Sequence, residues 1–166
     1  MIYFAEYSSP LGTLLLTTDG ESMTGLWMNR DAPTDAPPGE AHPVLLAAAK
    51  WLDAYFRGIV LPVDFPLAPS GTVFQQRVWQ RLLEIPFGEV CTYGDIAREM
   101  EAETGKRMSA QAVGGAVGRN PISILIPCHR VVGAGGKLTG YGGGLENKAW
   151  LLRHEGWKGM DNDDHQ

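Results

Sequence analysis

Cys128 and His129 are neighbours in the chain, and they are the residues best suited to nucleophilic chemistry. A thiol reacts as its thiolate, and a nearby histidine can act as the base that removes its proton. Because neighbours on an extended strand point to opposite faces, the pair can cooperate only if the backbone turns there or a water bridges them. Pro127 favours such a turn. A buried structural cysteine is the alternative that the pair alone leaves open.

Glu155 and Cys91 are the other titratable residues whose positions carry information. Glu155 falls at the C-terminal end of the last predicted helix, where the helix dipole disfavours an acid. An acid placed there indicates a specific partner, for which His129 is a candidate. Cys91 precedes a helix cap in a strand-like stretch and is interpreted as a packed core thiol. Two cysteines provide neither a disulfide framework nor a zinc-binding spacing, so we expect no metal and no cofactor.

The first 70 residues have the pattern of a small α+β domain. Short apolar segments bounded by turn residues predict three strands, and a helix follows from Pro43 to Arg57, with Gly58 as its stop. Residues 31–41 are rich in Pro, Asp and Ala and predict a loop, and the prolines of residues 59–71 indicate a linker. The predicted strands are Ile2–Tyr7, Thr13–Thr18 and Met23–Met28.

Residues 71–158 have the pattern of a mainly helical domain. Capping boxes at Thr72 and Thr92 predict two helix starts, and Ser109 can cap a third helix. The helix after Thr92, a polar connector at Glu101–Met108 and the next helix have the form of a helix-turn-helix. We interpret residues 159–166 as a disordered tail. The later predicted elements are the helices Tyr93–Met100, Ala110–Gly118 and Leu145–Glu155 and a glycine-rich loop, Gly133–Gly144.

The helix predicted at Ala110–Gly118 consists almost entirely of Ala, Gly and Val. A glycine costs a helix roughly 1 kcal/mol relative to alanine, and this helix contains three. Close approach of another backbone would compensate for that loss. The approaching surface is either a neighbouring helix of the protein or the wall of a DNA groove, and the sequence leaves both open.

Positive charge is concentrated in one part of an acidic chain. The formal net charge is −5, yet residues 70–158 contain eleven Lys or Arg against eight Asp or Glu. A DNA-binding surface is therefore compatible with the overall acidity, although an excess of this size also occurs on ordinary surfaces. The N-terminus lacks the pattern of a secretory signal, and no apolar run is long enough to span a bilayer. We expect a cytoplasmic protein without a membrane partner.

Several segments of the chain resemble the O6-alkylguanine-DNA alkyltransferases, also called methylated-DNA–protein-cysteine methyltransferases. The stretch NPISILIPCHRVV at residues 120–132 resembles their active-site signature. Residues 74–97 resemble the start of their C-terminal domain, and residues 139–156 resemble their closing loop and helix. SSPLGTLLLTTDGESMTGLW, from Ser8, resembles the small N-terminal domain of the bacterial members. The cysteine-rich zinc domain of the adaptive-response members has no counterpart here.

The resemblance implies an α+β protein: a small ribonuclease-H-like α/β domain at residues 1–70 and a mainly helical, winged-helix-like domain with a helix-turn-helix at 71–158. By its match to the motif, Cys128 is the alkyl acceptor. His129 would deprotonate it through a water, and Glu155 would hold that histidine. Asn120 would brace the turn around the site, and Tyr93 would donate a hydrogen bond to guanine N3.

The remaining residues implied by the resemblance form two groups. Those that would line the base pocket are Val131, Tyr141, Gly142, Gly143 and Lys148. Those that would contact DNA are Thr92, Ser109, Ala110, Gln111, Ala112, Gly114, Gly115, Arg119 and Arg130.

Gln111 departs from the pattern of the family. Many members carry an arginine at this position of the recognition helix, where it fills the gap left by the extruded base. Glutamine can still hydrogen-bond in that gap but lacks the planar charge. Lys106 or Arg107 in the preceding connector is an alternative source of that charge.

The expected activity is a single, irreversible transfer of the alkyl group from O6-alkylguanine, and by the same chemistry O4-alkylthymine, to Cys128. The partner would be double-stranded DNA, bound through its minor groove by a protein monomer that extrudes the damaged base. A non-catalytic lesion-binding relative and a Cys-His hydrolase are the alternatives. The former class lacks the cysteine that this chain retains, and the latter would turn over repeatedly.

Overall fold

A computed structural model describes residues 1–32, 38–39 and 42–159, which form two compact units. The N-terminal unit comprises Met1–Ser70 together with Pro121–Leu125. The C-terminal unit comprises Gly71–Asn120 and the chain from Ile126 onward. The domain predicted at residues 71–158 is therefore interrupted by five residues that belong to the other unit. Most of the loop predicted at 31–41 and nearly all of the tail predicted at 159–166 lie outside the described residues.

The N-terminal unit is an antiparallel three-stranded meander with one helix. The strands pair in chain order, each with the next, and the middle strand is buried from Leu14 to Thr18. The predicted strands and helix are confirmed, each to within two residues at its ends. On the helix, Leu52 and Tyr55 are fully buried, whereas Trp51 is only half-buried. The elements are β1 at Tyr3–Ser9, β2 at Gly12–Thr18, β3 at Met23–Met28 and α1 at Pro43–Phe56.

Residues 59–71, predicted as a linker, also form hydrogen bonds with β3. Met23 N donates to the Pro66 carbonyl at 2.9 Å, and Ala68 N donates to the Met23 carbonyl at 2.8 Å. Leu26 of β3 is bridged in the same way by Pro121 and Ser123. Because proline has no N–H to donate, these proline-containing segments add isolated bridges to β3 rather than full strands.

The C-terminal unit is mainly helical, and its capping boxes are confirmed. Thr92 and Asp95 exchange side-chain-to-backbone hydrogen bonds of 3.0 Å each, and the box beginning at Thr72 is also closed. No helix in the described part of the chain combines the length and the hydropathy that a membrane span needs. The helices are α2 at Val73–Leu82, α3 at Tyr93–Thr104, α4 at Ala110–Gly118 and α5 at Leu145–His154, and a parallel pair joins β4 at Cys91–Thr92 to β5 at Val131–Val132.

The predicted end of α3 at Met100 is wrong, because the helix continues to Thr104. The apolar stripe stops at Met100, but the polar residues that follow are compatible with a helix, and the stop comes from Gly105. Gly105 has φ 71° and donates its N–H to the Glu101 carbonyl at 2.8 Å, as a left-handed helix cap does. The connector to α4 is therefore limited to residues 105–109, and α3 packs directly against α4.

Candidate active site

The backbone turns twice around Cys128. Pro127 has φ −79° and ψ 65°, and Cys128 N donates to the Ile126 carbonyl at 2.7 Å, which makes an inverse γ-turn. Asn120 Nδ2 donates to the same carbonyl at 2.8 Å and braces the turn. Cys128–Arg130 then form one 3₁₀ turn. The predicted turn at Pro127 is confirmed, so Cys128 and His129 are not constrained to the opposite faces of a strand.

Glu155 holds His129 from the C-terminal cap of α5. The His129 Nε2 and Glu155 Oε2 atoms lie 2.6 Å apart, and both side chains are almost completely buried. Burial alone would raise the pKa of Glu155, but hydrogen bonds from His129 and Arg130, together with the nearby positive charge, outweigh it and lower the pKa to about 2. The unfavourable position of an acid at a helix C-terminus is thus explained by its partners, one of which is the predicted His129.

Arg130 does not lie where the resemblance placed it. Its Nε and Nη2 donate to the two oxygens of Glu155 at 2.7 and 3.1 Å, and its Nη1 donates to the Ile85 carbonyl at 2.6 Å. The side chain is buried, so it is not available to a DNA phosphate. The expectation of a DNA contact at Arg130 is corrected on this ground. An arginine beside two reactive residues gives no sequence signal that distinguishes a phosphate contact from a buried ion pair.

The imidazole of His129 is neutral in the resting protein. Burial lowers its pKa, although the hydrogen bond to Glu155 acts in the opposite direction. With an ionised carboxylate at Nε2, the proton of the neutral ring lies on Nε2. The other nitrogen, Nδ1, is buried and makes no hydrogen bond to any described residue. Nδ1 is therefore the atom of this ring that can accept a proton.

Cys128 is held as a thiol until a base acts on it. Burial raises its pKa, and hydrogen bonds from Asn120 and Tyr141 and the charge of Lys148 offset part of that rise. Its side chain is buried, with 5% of the residue surface exposed. The same groups that oppose the rise in pKa stabilise the thiolate once it forms. The arrangement therefore suits a nucleophile generated on demand rather than a permanently ionised one.

Lys148 connects the reactive turn to the glycine-rich loop. Its fully buried Nζ donates to the Val131 carbonyl at 2.6 Å and to the Thr139 carbonyl at 2.8 Å, and burial lowers its pKa to about 8. Tyr93 Oη donates to the same Thr139 carbonyl at 3.4 Å. Sequence reasoning missed Thr139, because its contribution is a backbone carbonyl that any residue could supply. The expected pocket residues Tyr93, Lys148 and Val131 are thus linked.

The loop residues expected to close over a base lie directly before α5. Gly144 N donates to the Tyr141 carbonyl at 2.9 Å, and Asn147 Nδ2 donates to the Gly143 carbonyl at 2.8 Å. Gly144 has φ 95° and occupies the N-cap of α5, a conformation that disfavours other residues. Tyr141 is half-buried, Gly142 is exposed and Gly143 is buried. The loop is therefore attached to the helix that carries Lys148.

One face of α4 is exposed and nearly free of side chains. A Cβ added at Gly115 or Gly118 would have no described atom within 4 Å, and one at Gly114 would meet the Tyr93 ring at an ordinary 3.6 Å. Packing against the described residues therefore does not require these glycines, so close approach of a neighbouring helix does not explain them. Of the expected DNA contacts, Thr92 and Gly114 are half-buried; the exposed ones are Ser109, Ala110, Gln111, Ala112, Gly115 and Arg119.

Both parts of the chain match known domains. Residues 2–69 match "6-O-methylguanine DNA methyltransferase, ribonuclease-like domain", and residues 73–157 match "6-O-methylguanine DNA methyltransferase, DNA binding domain". The chain belongs to the 6-O-methylguanine DNA methyltransferase family. The fold of this family member is accordingly α+β, with a ribonuclease-like N-terminal domain and a DNA-binding C-terminal domain.

Relatives of this family member are similar over nearly their full length. The methylated-DNA–protein-cysteine methyltransferase of Methanosarcina acetivorans is 44% identical over 93% of this chain and 99% of its own. That of Haemophilus influenzae is 44% identical over 93% of this chain and 86% of its own. The crystal structure of Mycobacterium tuberculosis OGT in complex with DNA superimposes with a TM-score of 0.82 at 44% identity, covering 92% of each chain.

Proposed function

We propose that this protein repairs DNA by transferring the alkyl group of O6-alkylguanine to Cys128, once per molecule and irreversibly. The proposal is carried by three buried groups, Glu155, His129 and Cys128. Nε2 of His129 lies against Glu155, whereas its Nδ1 makes no hydrogen bond to a described residue and can accept a proton. The thiol of Cys128 needs such a proton acceptor to react. O4-alkylthymine presents an equivalent alkyl–oxygen bond and is a second substrate. The protein acts as a monomer, without a metal, in the cytoplasm.

The proposed reaction is an in-line displacement at the alkyl carbon. His129 Nδ1 takes the thiol proton through a bridging water, and Glu155 stabilises the resulting imidazolium. The sulfur of Cys128 then bonds to the carbon as the carbon–oxygen bond breaks and the guanine oxygen becomes a carbonyl. A hydrogen bond from Tyr93 to guanine N3 stabilises the charge that develops on the ring. The resulting thioether has no easy hydrolytic exit, so the protein is consumed.

DNA recognition is proposed to occur through the exposed face of α4. A helix surface without side chains can enter the minor groove, which is about 6 Å wide. Minor-groove binding is nearly independent of sequence, as a protein that searches for damage anywhere requires. The target base must leave the stack, at a cost of a few kcal/mol, to reach the buried Cys128. The Mycobacterium tuberculosis relative was solved in complex with DNA, which supports DNA binding as such.

Alanine at Gly115 or Gly118 is expected to stabilise the protein while it weakens DNA binding. Because a new Cβ at either position meets no described atom, the free energy of unfolding should rise by up to about 1 kcal/mol per substitution, from helix propensity alone. The added methyl groups would project into the proposed groove contact and reduce affinity for duplex DNA. Chemical denaturation and fluorescence anisotropy measure the two effects. Unchanged affinity in a double variant would remove this face from the DNA interface.

Gln111 is proposed to occupy the gap left by the extruded base. Gln111→Arg should steepen the salt dependence of duplex binding by at most about one unit of slope, because it adds one cation near the phosphates. It should also accelerate repair of duplex DNA more than of single-stranded DNA, in which no stack has to be broken. Ala102→Arg, on the exposed surface of α3, is the control for the added charge. Equal acceleration on both substrates, or none, would mean that position 111 does not occupy the gap.

Stoichiometry distinguishes the proposed function from its alternatives. With duplex DNA containing O6-methylguanine in excess, the lesions removed should plateau at one per protein molecule. A hydrolase would continue past one equivalent, and a lesion-binding protein would remove none. Retention of Cys128 within the buried network opposes the lesion-binding alternative.

A further inference from the structure

Glu155 has two partners, and the proposed reaction uses only one of them. His129 approaches Oε2, whereas Arg130 holds both carboxylate oxygens through Nε and Nη2. The third donor group of Arg130, Nη1, is anchored on the Ile85 carbonyl just beyond α2. A planar guanidinium that binds both oxygens fixes the plane of a carboxylate as well as its charge. Arg130 therefore determines where Oε2 lies relative to the imidazole.

The charge of Glu155 depends on this contact. Burial acts to raise the pKa of Glu155, and the groups that oppose it are His129 and Arg130. His129 is neutral when the protein is at rest, so Arg130 is the permanent cation of the cluster. Lys148 is the other charged group that acts on His129, and its direct hydrogen bonds go to backbone carbonyls. Without Arg130, the buried carboxyl group would lose its permanent cation, so its pKa would rise and it would hold the imidazole less firmly in one tautomer.

We propose that Arg130 is a positioning residue for alkyl transfer: it holds Glu155 ionised and oriented so that His129 keeps its proton on Nε2 and leaves Nδ1 as the base. The inference rests on the proposed function of the same site and adds a residue whose side-chain contact within the site is Glu155. It also explains why an arginine is buried beside the reactive pair: the buried carboxylate of Glu155 requires a cation as its partner.

Two substitutions separate the charge of Arg130 from its shape, and Arg81→Met is the matched control. Like Arg130, Arg81 forms ion pairs with carboxylates, but its partners are two exposed glutamates, Glu99 and Glu103. Arg130→Met removes both charge and shape. Arg130→Lys keeps a cation but cannot bind both carboxylate oxygens in a fork. Each variant is made with Cys91→Ala, so that iodoacetamide labels only Cys128.

The expected readout is the rate of Cys128 labelling against pH, measured beside single-turnover transfer from a methylated duplex. In the parent protein the pKa of Glu155 is about 2, so its carboxylate stays ionised in the assay range. In Arg130→Met the pKa of Glu155 rises, and the acid limb of both profiles should move to higher pH, with a plateau about tenfold lower, a part of the roughly 100-fold or more that a general base contributes. Arg130→Lys should keep the acid limb and lose only plateau rate, whereas Arg81→Met should match the parent.

Nitrogen-15 NMR of the His129 ring provides a readout that loss of stability would not imitate. The parent and Arg130→Lys, in which Glu155 stays ionised, should show mainly the tautomer protonated on Nε2, whereas Arg130→Met should show a mixture. If Arg130→Met does not fold, Arg130→Lys decides: an unchanged plateau overturns the inference. An unshifted acid limb in folded Arg130→Met overturns it as well. Because labelling requires no DNA, failure of the proposed transfer would appear separately, as a parent protein that labels normally but accepts no alkyl group.

Discussion

Cys128→Ala is expected to abolish alkyl transfer while duplex DNA is still bound. The substitution removes the only atom proposed to accept the alkyl group, and no catalytic base can replace a missing nucleophile. DNA affinity should be largely preserved, because the exposed face of α4 is untouched and Cys128 presents only 5% of its surface to solvent. Single-turnover loss of O6-methylguanine from a duplex measures the first effect, and fluorescence anisotropy with the same duplex measures the second.

Cys91→Ala is the matched control for this experiment, since it removes the other cysteine of the chain. Burial and nearby acids raise the pKa of Cys91 to about 12, so its thiolate is scarcely populated at neutral pH. Transfer by Cys91→Ala should therefore proceed at the parent rate. Residual transfer by Cys128→Ala, or loss of transfer in Cys91→Ala, would show that Cys128 is not the acceptor.

Glu155→Gln is expected to slow alkyl transfer by on the order of 100-fold or more, as loss of effective general-base catalysis does. The amide oxygen can still accept a hydrogen bond from His129, but it carries no charge to stabilise an imidazolium. Arg130 would be left as a buried cation without a counterion, at a cost to folding of about 3–5 kcal/mol. Glu99→Gln, which weakens the exposed pair with Arg81, should cost at most about 1 kcal/mol and leave transfer unchanged.

The stability of Glu155→Gln should also respond differently to acid. Because folding lowers the pKa of Glu155 from 4.5 to about 2, the parent has this stabilisation above pH 4.5 and loses it as the pH falls toward 2. The variant lacks that dependence. Urea unfolding across this interval compares the two proteins, and the difference between their free energies of unfolding should shrink toward low pH. A constant difference, together with a parent-like transfer rate, would mean that Glu155 neither holds charge nor supports the base.

Local signals in the sequence predicted the elements well wherever a side chain marks a boundary. The capping boxes at Thr72 and Thr92 and the small-residue helix from Ala110 to Gly118 all appear as predicted. The end of α3 was misplaced because an apolar stripe reports which residues face the core, not where the backbone stops being helical. Gly105 marked that stop and lay within a stretch interpreted as a connector.

The parts of the site that the sequence did not predict depend on contacts between distant residues. Arg130 binds a carboxylate 25 positions away and a carbonyl 45 positions away, and no local pattern encodes either contact. Thr139 contributes only a backbone carbonyl. Outside the site, in the N-terminal unit, Ile124 adopts φ 69°, a conformation that a β-branched side chain rarely takes and that propensity argues against. The pairing of His129 with Glu155 was predicted in two steps: an acid at a helix C-terminus indicates a partner, and the family resemblance implies that this partner is His129.

The most direct test of the central claim is the mass of the intact protein after incubation with duplex DNA that contains O6-methylguanine. The protein should gain the mass of one methyl group in place of one hydrogen, and peptide mapping should place it on Cys128, with a matching loss of the lesion. Cys128→Ala should gain nothing. Loss of the lesion without any gain in protein mass, or continued loss beyond one equivalent, would contradict the account.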